Sequence, residues 1–153
     1  MNMWFVCLIA MTGLSSQART QERLETCFEV AVQAEANGFD PVVLVSLAYE
    51  ESRFHRAAVS NVGAQGPMQV MPKFFCPHGR VDGCNLIAAG IRAWRAYHRR
   101  YKGELREVLC HYAAGRVCNQ RSRGYAHRIQ QRVRRIREDY AILEKMLGPL
   151  DVF

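Results

Sequence analysis

Two adjacent carboxylates, Glu50 and Glu51, close a strongly apolar stretch of the chain. Asp40 offers a helix N-cap and Pro41 suits the first helical position, so a helix is predicted to start there. On it Leu44, Leu47, Ala48 and Glu51 fall at i, i+3, i+4 and i+7, along one face. A carboxyl at the end of an apolar face loses solvation when charged, and the negative end of the helix dipole disfavours its charge further. Its pKa is therefore expected to rise toward neutrality, which suits a general acid that protonates a leaving oxygen. Glu50 is the rival, but it shares its face with Ser46 as well as Val43 and Leu47, and it lacks the serine that follows Glu51. No Asp or Glu occurs from Ser52 to Val81, and Asp82 sits in a turn beside Gly83. An ordinary glycosidase uses two carboxylates, so this pattern points to chemistry run by one.

Downstream lies a loop-forming stretch in which Ser60, Gly63, Ala64, Gly66, Pro67, Met68, Gln69 and Pro72 are the notable positions. Gly63 and Gly66 allow close backbone approach to a ligand, or simple turn geometry. The segment resembles the soluble lytic transglycosylases, a goose-type lysozyme-like family. Four blocks carry the resemblance in order. They are Glu51-Ser52 with Phe54; Ser60, Gly63-Ala64, Gly66 and Met68-Gln69 closing at Pro72; Asn85-Leu86 with Gly90; and Tyr112, Ala114 and Gly115 in His111-Tyr112-Ala113-Ala114-Gly115. The likeness spans about residues 26–126.

The resemblance implies an all-α lysozyme-like domain that cleaves the MurNAc-β-1,4-GlcNAc bond of peptidoglycan. Glu51 would act first as acid and then as base, and the product would carry a 1,6-anhydro ring. It further implies substrate contacts from Ser60, Gly63, Gly66, Met68, Gln69 and Tyr112, with Ser60 and Tyr112 directed toward the acetamido group or Glu51. Met68 would offer an apolar wall to the sugar, and Gln69 an amide. No metal or organic cofactor is expected. Three positions depart from the family pattern: Pro67 stands for Leu, Ala113 for Asn and His111 for Ala. Pro67 removes a backbone donor, and Ala113 removes an orienting amide.

The elements that must position these residues read as helices throughout. Helices are expected over residues 20–37, from Asp40 past Glu51, over 85–101, over 104–114 and over about 122–147. In the last of these Tyr125, Ile129, Val133, Ile136, Tyr140, Leu143 and Leu147 form one apolar stripe. Arg128, Arg132, Arg134, Arg135 and Arg137 lie opposite. No alternating strand pattern appears, and 153 residues suffice for one domain.

Residues 1–18 carry no charged side chain, and an apolar run ends in the small residues Ser16 and Ala18. This reads as a signal peptide cleaved near Ala18, although its n-region lacks Lys and Arg; a buried N-terminal helix and a short retained anchor are the alternatives. Export to the periplasm or cell envelope follows, leaving residues 19–153 as a single lysozyme-like domain. Cys7 would depart, leaving five cysteines, so that one thiol stays free or pairs with a partner. Cys110 and Cys118 are placed to bridge locally, and Cys84 could join Cys76 or Cys27. No Cys-x-x-Cys and no His pair at i, i+4 argue for zinc.

The net charge of +7 attracts anionic partners in general. Nucleic acid is the weaker reading, since an exported chain meets little of it and no reader motif is present. Peptidoglycan strands are the expected partner, and a secretion or conjugation apparatus is a further one. The competing functions are a muramidase-type hydrolase and a glycan-binding or scaffold module. No stretch has the roughly 18 to 20 apolar residues of a membrane-spanning helix.

Overall fold

The computed structural model describes residues 1–152. Its described residues form seven α-helices and no strand: α1 (Met3–Met11), α2 (Gln21–Ala36), α3 (Pro41–Ser52), α4 (Pro72–Phe75), α5 (Leu86–Arg100), α6 (Leu105–Ala114) and α7 (Gln120–Leu147). The fold is all-helical, as expected.

Helix starts follow the capping chemistry of the sequence. Thr20, Asp40, Asn85, Glu104 and Asn119 each accept a backbone N–H of the first turn through their side chains. Asn119 and Ser122 form a reciprocal capping box, which starts α7 two residues earlier than its apolar stripe suggests. The loop between α3 and α5 holds the single turn of α4 and two isolated bridges, Val59 to Gln65 and Gln65 to Val70.

α3 is the axis of the domain. Every residue from Val42 to Tyr49 is buried, so the helix is enclosed on all sides instead of showing the one apolar face expected of it. α2 and α7 pack on it, and α1 packs on α2, α3 and α7. The α7 stripe is buried from Tyr125 through Tyr140, but its last member, Leu147, is exposed. The basic side of α7 is largely engaged within the molecule. Arg128 binds Glu50 at 2.6 Å, Arg137 binds Asp40, Arg135 lies 3.8 Å from Asp139, and Arg132 stacks on the Tyr49 ring at 3.4 Å.

Disulfides join Cys7 to Cys27, Cys76 to Cys84 and Cys110 to Cys118, and no cysteine is free. The local Cys110–Cys118 bridge matches expectation, and Cys84 takes the nearer of its two candidate partners. With residues 1–18 present, Cys7 bridges Cys27, so the odd count expected of a cleaved chain does not arise here. This is the structure of the uncleaved chain, and in it residues 1–18 form α1 and a short 3-10 turn. No helix among the described residues is long and apolar enough to cross a membrane.

Candidate active site

Glu51 sits in the last turn of α3, one residue before the helix ends. Arg53 and Phe54 then both take left-handed backbone, with φ of 54° and 61°. Such conformations cost non-glycine residues about 1 kcal/mol or more each, and surrounding structure must hold them. Phe54 is fully buried and makes an edge contact with Tyr49, so the core anchors the turn that presents the acid.

Burial raises the Glu51 pKa from 4.5 to about 7; the hydrogen bond from Tyr125 opposes the rise, and the neighbouring Glu50 charge adds to it. The Tyr125 hydroxyl, from the second turn of α7, donates directly to Glu51 Oε1. Glu50 faces elsewhere, its carboxylate held by the Arg128 guanidinium at 2.6 Å. Adjacent residues lie about 100° apart around a helix, so the two carboxylates meet different surroundings. Burial first, and the Glu51 charge second, push the Tyr112 and Tyr125 phenols well above their ordinary pKa. Both remain proton donors.

The loop from residue 57 to 71 is tied to this turn. Ser52 Oγ donates to the Pro67 carbonyl at 2.7 Å, and Tyr112 Oη donates to the Met68 carbonyl at 2.8 Å. The Pro67 departure therefore loses an N–H but keeps the carbonyl that Ser52 uses. Gly66 has φ of +81°, and a Cβ there would lie 2.7 Å from Leu86 Cβ. Gly63 has φ of +86° with open space around it, so its requirement is the turn alone.

The other expected contacts fall differently. Ser60 Oγ accepts the amides of Val62 and Ala64, so its hydroxyl holds the loop's own turn. Gln69, with φ of 50°, donates its side-chain amide to the carbonyls of Ala58 and Gly66 and cross-links the loop. Met68 is fully buried, packed under Gly90 so closely that a Cβ there would lie 2.4 Å from its sulfur. That packing leaves no apolar wall for a sugar, and it explains Gly90. Tyr112 turns its hydroxyl to the loop backbone while its ring packs against Trp94 and Tyr97. Glu51, Tyr112 and the Gly66–Gln69 turn are thus brought together, whereas Ser60, Met68 and Gln69 shape the loop from within.

Tyr125 is the residue the sequence reading places elsewhere, as one more member of the apolar stripe. Its signal was the hydroxyl, because a buried phenol needs a hydrogen-bond partner. His111 Nδ1 lies 2.7 Å from the Gly115 carbonyl, and the ring stacks on Tyr101, so this departure serves the end of α6. Ala113 is exposed. A cleft of about 290 Å³, lined by Arg56, Pro67, Cys84, Asn85, Leu86 and Ile87, adjoins the loop at Pro67; Glu51 does not line it. Glu107, His111 and Cys118 approach one another, but Cys118 is committed to its disulfide.

This all-helical packing, with Glu51 at the end of its most enclosed helix, is consistent with a lysozyme-like domain. The transglycosylase SLT domain model matches residues 28–133, and the chain belongs to that family. Its members are generally lytic transglycosylases that act on peptidoglycan. No curated protein and no solved structure matches the chain.

Proposed function

We propose that the protein is an exported lytic transglycosylase that cleaves the MurNAc-β-1,4-GlcNAc bond with Glu51 as its single catalytic carboxyl group. The observation that carries this reading is the state of Glu51. It is half-buried at the end of the enclosed helix, its pKa is raised to about 7, and Tyr125 donates to one of its oxygens. With Oε1 taken by that donor, we assign the acidic proton, and its transfer to the glycosidic oxygen, to Oε2. Protonation of the leaving oxygen breaks the bond, with the substrate's own N-acetyl group assisting departure. Glu51, now a carboxylate, takes the proton of the muramyl 6-hydroxyl as that oxygen closes onto the anomeric carbon, giving the 1,6-anhydro end. A second carboxylate is not required, and Glu50 is held by Arg128. Three disulfides support work in an oxidising compartment outside the cytoplasm.

The test is mass spectrometry of muropeptides released from purified peptidoglycan by the wild type and by Glu51→Gln. Anhydro-muramyl ends from the wild type alone are expected. Reducing ends would move the protein to the hydrolases while keeping the acid. Glycan retention without release would mark a binding module.

A further inference from the structure

Residues 1–14 take no part in the chemistry above, yet they are fastened to the domain along their length. Cys7 is bridged to Cys27 on α2, and six of the nine α1 residues are buried. The Asn2 amide N–H donates to Tyr140 Oη at 2.8 Å, and its side-chain amide donates to the Leu150 carbonyl at 3.1 Å. Arg19 donates to the carbonyls of Leu14 and Thr12 and so closes the end of the segment. The Tyr49 hydroxyl donates to the Gly13 carbonyl at 2.8 Å, and the Arg53 and Arg132 guanidinium groups lie 4.6 and 3.4 Å from the centre of the Tyr49 ring. Tyr49 precedes Glu51 by two residues, about 200° around the helix, so this contact lies on the back of the catalytic helix.

Cysteine parity gives an independent argument. With the segment present, six cysteines make three bridges and none is free. Without it, Cys27, which is fully buried, is left as a lone thiol beneath an uncovered apolar surface.

We propose that residues 1–14 are a permanent member of the folded enzyme, a brace stapled by Cys7–Cys27 that holds α3 from behind through the Gly13–Tyr49 bond. This runs against the expectation of cleavage near Ala18. The bridge forms by exchange with a protein disulfide oxidant, which accepts two electrons and two protons from the Cys7 and Cys27 thiols.

The full chain is produced in an oxidising compartment and its intact mass is read without reduction, before and after iodoacetamide. The expected mass includes residues 1–18, with three disulfides and no alkylation. A protein that begins at Arg19 and is alkylated at Cys27 would overturn the proposal. Hydrogen exchange on Tyr49→Phe tests the brace itself, because the substitution keeps the ring and removes only the bond to Gly13. Exchange in the last turn of α3 should quicken about fivefold, the worth of one ordinary hydrogen bond; unchanged exchange would overturn it. Neither readout depends on glycan cleavage, so a failure of the functional reading is told apart from a failure of this one.

Discussion

Replacing Glu51 with Gln should stabilise the protein, and the gain should depend on pH in a defined way. Gln keeps the shape of the side chain but never ionises. In the wild type the folded state holds its Glu51 proton up to about pH 7, whereas the unfolded chain releases it near 4.5. The stability that goes with the neutral acid is fully present below 4.5 and is lost as pH rises through 7. At about 1.4 kcal/mol per pH unit, the gap between the two values is worth about 3 kcal/mol. Urea unfolding of both proteins, followed by circular dichroism from pH 4 to 8 with disulfides intact, reads this directly. The free-energy difference in favour of Glu51→Gln should grow by up to about 3 kcal/mol across that range, most of it between pH 5 and 7. A difference that stays flat would show that Glu51 ionises as it would in water, and the argument for its role as a neutral acid would fall.

Tyr125→Phe removes the hydrogen bond that holds the Glu51 pKa down, so the alkaline limb of the pH–rate profile should move to higher pH; a downward move would refute this. Met68→Ala should cost about 2 to 5 kcal/mol in chemical denaturation, the range for a fully buried methionine, whereas a groove-lining Met68 would cost little stability. Gly66→Ala forces a Cβ to 2.7 Å from Leu86 at φ +81° and should lower both stability and turnover, since the same loop carries the carbonyls that Ser52 and Tyr112 hold. Cys76→Ser with Cys84→Ser opens a short loop and should cost about 2.5 kcal/mol in the chain-entropy account, read as a shift in the denaturation midpoint.

The helices were legible because their ends are written in local chemistry. Asp40, Asn85 and Glu104 each place a side-chain oxygen where the unpaired N–H groups of a first turn need an acceptor, and Gly115 and Gly148 mark ends. Glu51 was legible as the candidate for the same reason, as a carboxyl at the end of an apolar helix. What the loop residues do was not. Ser60 and Gln69 carry polar groups that a ligand or the loop's own backbone can claim equally well, and only the turn geometry decides for the backbone. Met68 and Gly90 are 22 positions apart in the chain, so their mutual fit has no local signature. The all-round burial of α3 also escaped a one-face reading, because it depends on α1, which the charge-free leader pattern assigns away from the domain.

The two ends of α7 differ in ways that bear on how the protein fails. The end that carries Tyr125 is fixed by the Asn119–Ser122 capping box and lies next to the Cys110–Cys118 bridge. The other end exposes Ile142, Met146 and Leu147. Fraying and protease cutting should therefore begin in the last turns of this 28-residue rod and work back toward the acid. Past that end the chain is pinned again, by Leu150 in the core and by the Asn2 amide on its carbonyl, so a chain nicked near residue 146 would keep nearly all of its helical signal and hold its tail by contacts alone.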